Sequence, residues 1–383
     1  MHPFRTLLVT ALCLVLSACA EDTTDHKTPL PEPAAGLDIQ AERWGEADGR
    51  PVDLYTLTNS SGMQVTITNY GGIVVSIIVP DRNGNLADIS LGFDNLEGYL
   101  AGHPYFGATV GRFANRIRNA KFELEGVEYK MPVNNDPHHL HGGVNGFDKK
   151  VWDVLPIKEP NSIGVSMSYY SPDGEEGYPG NLSVMTVFRL TEDNELRIDY
   201  TATTDKTTIV SLTNHTYFNL AGQGNGTILD QVVTFQADEF LERYEADNTP
   251  TGRILSVKGT PVDFTSPHTI GERIDQVGAG YGHCMVLKNS QDGSLGLAGT
   301  FYEPNSGRLM EIYTTKPGAQ FYTGQSLDGS AIGKGGVAYG KHAAFCFETE
   351  YYPDTPNQPN FPSAVLKPGE TYSHTTVHKF SVR

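Results

Sequence analysis

Two segments place ionisable side chains inside otherwise strand-like sequence. In FCFETE (345–350), Glu348 interrupts an apolar, aromatic run. Carboxylates are almost never fully buried without a partner. If enclosed, desolvation raises the pKa of Glu348 and suits it to act as a base near neutral pH. At an edge facing water, or in an ion pair, it is structural. Glu350 falls on the same nominal face and is its local competitor. In VSLTNHTYFNL (210–220), the even positions Val210, Leu212, Phe218 and Leu220 form a core-facing set, and Ser211, Thr213, His215, Tyr217 and Asn219 share the other face. A polar face with a central His and Tyr fits a sugar-like ligand, whose hydroxyls take hydrogen bonds and whose C–H faces meet aromatic rings. A solvated outer face fits the same pattern.

Other segments carry weaker signals. NNDPHHLHGG (134–143) holds His138, His139 and His141. On a strand His138 points away from the other two, and a catalytic zinc needs three ligands around one point, so no metal is expected. The glycines after His141 permit a ligand to approach the backbone closely. GRFANRI (111–117) offers Asn115 and Arg116, whose guanidinium can fork onto hydroxyls or pair with a surface acid. Asp263 in TPVDF is a lone carboxylate or a turn-stabilising one. PGAQFYTG (317–324) puts Gln320 and Tyr322 on one strand face. DGEEGYPG (173–180) is a tight surface loop or a lid, without the ligand spacing of a calcium loop.

The elements that must position these groups are strands. Ile163 to Tyr169 and Leu196 to Ala202 alternate apolar and small or polar residues. Residues 73–79 form an apolar run closed by a PDRNG turn. Residues 190–196 read as a hairpin connection, and only 94–100 looks helical. With 41 Gly and 23 Pro among 383 residues, turns are frequent. The fold class expected is all-β, a large antiparallel twisted β-sandwich with few short helices. The formal charge of −17 and the lack of a basic cluster exclude a nucleic-acid partner.

The first residues read as an address. Arg5 precedes an apolar stretch (7–16) too short to span a bilayer. LSAC (16–19) resembles the lipobox of bacterial lipoproteins, so Cys19 is the expected lipidation site and the only membrane attachment. Proline-rich residues up to 36 suit an extended tether. The expected organisation is a lipoprotein signal over 1–18, a lipid-bearing Cys19 with tether over 19–38, and one body over 39–383, exported and anchored in the bacterial cell envelope. Cys284 and Cys346 remain, most simply as buried free thiols.

Taken together, PYFGATVGRFANRI (104–117), LHGGVNGFDKKVW (140–152), SPDGEEGYPG (171–180), LTNHTYFNL (212–220), TPTGRI (249–254) with PVDF (261–264), PGAQFYTG (317–324) and FCFETEYYPDTPNQPNF (345–361) resemble the galactose mutarotase (aldose 1-epimerase) family. The resemblance runs from about residue 40 to the C-terminus and implies a large twisted β-sandwich. It implies interconversion of aldose anomers without cofactor or metal. It implies that His215 is the acid at the ring oxygen and Glu348 the base at the C1 hydroxyl. His141 assists near the ring oxygen and binds sugar, and Asn115, Arg116, Asp263 and Gln320 bind hydroxyls. The two catalytic groups are expected on opposite sides of the pyranose. The rivals are a phosphosugar 1-epimerase, which needs several converging cations; a glycoside hydrolase with Glu348 and Asp263 as paired carboxylates; and a non-catalytic sugar-binding protein.

Overall fold

Alternation in sequence becomes alternation in burial. In Glu195–Thr204 the residues Leu196, Ile198, Tyr200 and Ala202 are buried and their neighbours are not. The computed structural model describes residues 36–288 and 293–383. The largest sheet has nine antiparallel strands. Its order is Asp153–Glu159, Ser162–Ser171, Leu182–Thr191, Glu195–Thr204, Tyr372–Val382, Arg308–Thr314, Gly296–Tyr302, Val232–Phe235 and His268–Thr269. The C-terminal strand is thus central. The expected 190–196 connection is a tight hairpin within this sheet.

A second sheet is a five-stranded meander from Asp38–Ala47 to Leu86–Asp88. Its Ile73–Pro80 strand ends in the expected turn, where the Asp81 carboxylate accepts hydrogen bonds from the Asn83 and Asn85 amides. The third sheet carries much of the site. It also has five strands, ordered Pro250–Ser256, Glu239–Arg243, Gly282–Val286, Gly318–Tyr322 and Cys346–Glu350. One core joins all three sheets. It takes Ile163, Phe188 and Ile198 from the first, Leu57, Ile67 and Ile77 from the second, and Met285, Phe321 and Phe347 from the third. Each such side chain contributes about 1.5–3 kcal/mol of burial energy. This is the β-sandwich read from the sequence. The helix expected at 94–100 is Leu96–Leu100, capped by the Asn95 side chain. Cys284 and Cys346 are buried and free. Cys19, the leader and nearly all of the tether lie outside the described residues.

Candidate active site

Strand pairing brings the two leading candidates together. Phe218 and Phe345 exchange both backbone hydrogen bonds, at 2.7 and 2.9 Å. Three residues back on one segment and three forward on the other, His215 stands opposite Glu348. Across the other edge of the Cys346–Glu350 strand, Gln320 is the register partner of Glu348. Residues opposite one another share a face, so His215, Glu348 and Gln320 form one row. Tyr217, Cys346 and Tyr322 form the next. His215 itself ends a short strand, Thr213–His215, paired with Ala108–Val110. The even residues of this segment enter the main core as expected. The odd face is not uniform: His215 and Tyr217 reach the site, whereas Ser211 and Asn219 bond to protein, Ser211 accepting from the Tyr351 amide and Asn219 donating to the Ala343 carbonyl.

The opposite wall comes from a two-residue ladder pairing His139–Leu140 with Arg116–Ile117. His141 and Asn115 lock each other: the His141 amide donates to the Asn115 carbonyl, and the Asn115 amide donates to His141 Nδ1 at 3.2 Å. Tyr105, Asn115 and His141 all have positive φ, 63°, 64° and 51°. Such conformations cost about 1–3 kcal/mol each and collect where function requires a fixed geometry. The glycine after His141 is required by the packing of this wall. A Cβ at Gly142 would fall 1.8 Å from the Gly111 carbonyl oxygen.

These walls enclose a cavity of about 260 Å³. His215 Nε2 lies 3.4 Å from Glu348 Oε2, and both side chains are almost completely buried. The His215 ring is stacked between Tyr105 and Tyr217, with centroids 5.8 and 5.1 Å away. The expected placement on opposite sides of a ring is therefore corrected: imidazole and carboxylate stand side by side, because they occupy facing positions on neighbouring strands. Burial raises the pKa of Glu348 to about 8, against the pull of the Arg116 guanidinium. Burial lowers that of His215 to about 4 and that of His141 well below the ordinary value. Between those limits the His215–Glu348 pair holds one proton, which rests mainly on Glu348; the form with that proton on His215 is the minor one, and it is the one that has both a base and an acid to offer.

The cavity is lined by Asn115, Arg116, His141, His215, Gln320 and Glu348. Arg116 donates through Nε to Asn135 Oδ1 at 2.9 Å. Asp263 is not among the lining residues. Its carboxylate accepts the Thr265 hydroxyl and amide at 2.6 and 3.1 Å, the local turn that was the other reading of this residue. Glu350 also stays out of the lining. It accepts from Asn115 Nδ2 at 3.0 Å, and burial together with Glu348 pushes its pKa far up. The three clustered histidines diverge. His138 accepts from the Asn119 amide and lies 3.4 Å from Asp247, while His139 bridges the Pro132 carbonyl and the Tyr178 hydroxyl. A metal-competent grouping does exist, but it takes only His141 from that cluster and the rest from two other segments: donor atoms of His141, His215 and Glu348 lie within 4.8 Å of one another. Two imidazoles and a carboxylate can ligate zinc, and the same three groups can pass protons. The acidic loop 173–180 is a packed turn; Arg112 donates to its Pro179 and Gly180 carbonyls, and Glu175 accepts from Tyr169 and Ser171. Tyr105, Asn135 and Ser326 line the cavity without having been singled out from the sequence. Nothing in their local spacing marks them.

Comparison with known proteins agrees with this geometry. The family model described as aldose 1-epimerase matches residues 53–379. Galactose mutarotase from Bos taurus is 48% identical over 84% of this chain and 92% of its own length. Aldose 1-epimerase from Escherichia coli (strain K12) is 35% identical over 87% of this chain and 96% of its own. Among solved structures, a galactose 1-epimerase from Lactobacillus acidophilus NCFM superposes with a TM-score of 0.79 at 25% identity, covering 91% of this chain and 99% of that one. A buried imidazole–carboxylate pair in a β-sandwich cavity, a family model spanning nearly all of the body, and relatives aligned along almost their full length have one reading: this chain belongs to the aldose 1-epimerase family.

Proposed function

We propose that this protein is an aldose 1-epimerase, interconverting the α and β anomers of an aldohexose such as galactose or glucose. The observation that carries the reading is the 3.4 Å approach of His215 Nε2 to Glu348 Oε2 inside a sugar-sized cavity. Ring opening takes a proton from O1 and delivers one to O5. Both oxygens are bonded to C1, so an acid and a base side by side reach them from one edge of the sugar.

In the opening step Glu348 accepts the O1 proton, the C1–O5 bond breaks, and protonated His215 gives its proton to O5. The aldehyde turns about C1–C2. In closure the O5 hydroxyl attacks the other face of C1, His215 takes its proton back, and Glu348 returns one to O1. The pair begins and ends with the same single proton. Each proton transfer is worth about 10²–10⁴-fold. His141, Asn115, Arg116 and Gln320 are positioned to bind hydroxyls. The positive φ at Tyr105, Asn115 and His141 persists because the packing around that wall fixes it.

The test is polarimetry on fresh α-D-galactose and α-D-glucose. Acceleration of mutarotation, lost in Glu348→Gln while the sugar still binds, supports the reading. Saturable binding with no acceleration by the unmodified protein makes this a sugar-binding module instead. The leader supports an exported protein lipid-anchored through Cys19. Palmitate incorporation that persists in Cys19→Ala contradicts that anchor.

A further inference from the structure

The row Tyr217–Cys346–Tyr322 continues across the third sheet to Gly282, the register partner of Tyr322. Gly282 therefore stands on the site-facing side of the sheet with no side chain. The space above it is taken by Arg243, from the neighbouring strand Glu239–Arg243. A Cβ at Gly282 would lie 3.0 Å from Arg243 Nη1, and that nitrogen already donates to the Gly282 carbonyl at 2.9 Å and to Asn248 Oδ1 at 2.6 Å. The Nε and Nη2 edge of Arg243 donates to no group among the described residues. No carboxylate lies within ion-pair distance of it among those residues either. Glu242 pairs with Arg253, and the exposed Glu245 acts only through space. Arg243 lines a cavity of about 730 Å³ that shares Ser326 with the catalytic one. Arg243 is also within electrostatic reach of Arg116, whose like charge repels its own. Two guanidiniums with no ion-pair partner among the described residues thus line adjoining cavities that meet at Ser326.

Resting on the mutarotase reading, we propose that the substrate is an acidic aldose, a hexuronate, whose carboxylate is held by the open edge of Arg243. Two strand spacings and a two-residue step along the strands, about 12 Å in all, separate the backbone at Glu348 from that at Gly282. A hexose with its C6 group, hydrogen-bonded at both ends, covers that span, so C1 sits at Glu348 and C6 at Arg243. One open guanidinium edge matches one planar carboxylate in a two-bond fork. A phosphate dianion calls for more cations than converge here.

The experiment is anomer exchange measured by NMR on D-galacturonate, its methyl ester, D-galactose and D-galactose 6-phosphate. The expected result is a kcat/KM for galacturonate about tenfold or more above that for the neutral ester and for galactose, an advantage that shrinks as salt rises. Arg243→Gln should erase most of that ratio. Gly282→Asp should also erase it, by placing a carboxylate against Arg243; the backbone there is not left-handed, and the atoms it meets are ends of flexible side chains. The inference is overturned if galacturonate has no advantage over its ester, if the phosphate is preferred, or if neither variant changes the ratio in folded protein as judged by thermal melting. Galactose turned over without a galacturonate advantage sinks only this inference. No acceleration with any sugar sinks the mutarotase reading beneath it.

Discussion

Glu348 and Asp263 are both carboxylates that directly follow an apolar residue in the sequence, yet they occupy opposite kinds of place. Glu348 sits in Cys346–Glu350, a strand buried at every position, because the segment carrying Phe218 covers its outer edge. Burial lifts its pKa to about 8. Asp263 lies in a turn, where slight burial pushes its pKa up but the Thr265 hydroxyl and amide outweigh it and leave it below the ordinary value. The first is short of partners, with Oε2 accepting no hydrogen bond; the second already has them. A carboxylate whose hydrogen bonds are met locally has little left for a ligand. One left bare in an enclosed site is poised to take a proton.

The sharpest way to break this contrast is to remove each group. Glu348→Gln is expected to lower kcat for galactose mutarotation by about 10²–10⁴-fold, and His215→Asn by a similar factor, with sugar binding by calorimetry retained. The pH profile sharpens it next. Below about 4 the pair carries two protons and Glu348 cannot accept; above about 8 it carries none and His215 cannot donate. Log kcat/KM is therefore expected to be bell-shaped between those limits, and Glu348→Gln should lose the acid limb, because no carboxylate remains to be protonated, while the fall with rising pH, which is loss of the His215 proton, remains. Arg116→Met should raise KM by about tenfold or more, the worth of a hydrogen bond to a charged group. Because Arg116 holds the Glu348 pKa down, the same variant should also move the alkaline limb to higher pH. Asp263→Ala is the smallest change for the reaction: it removes a local turn contact with Thr265 and is expected to be visible in neither KM nor the limbs. A large rise in KM for Asp263→Ala would end the contrast.

Much of this was legible in sequence because strand geometry is periodic. The alternation in 210–220 places His215 and Tyr217 on one face, and 345–350 places Glu348 among core residues. What alternation cannot supply is which strands become neighbours. The meeting of His215 with Glu348 depends on the Phe218–Phe345 pairing, 127 residues apart in the chain. The same holds for His141: alternation sets His138 apart but leaves His139 and His141 on one face, and it is the positive φ of 51° at His141 that alternation does not foresee. Tyr105 was silent because its contribution is a strained backbone and a ring stacked on His215, neither of which has a local spacing. Arg243 was silent because its significance lies in the missing side chain at Gly282, on the adjacent strand.

The central claim is that one proton shared by His215 and Glu348 drives anomer exchange. The most direct measurement is the pH dependence of α–β exchange at C1 of galactose, by NMR, for the unmodified protein and Glu348→Gln. The account predicts a bell-shaped profile for the former and, for the variant, residual exchange without an acid limb, falling only as pH rises. Unimpaired exchange in Glu348→Gln, with both limbs intact, would contradict it.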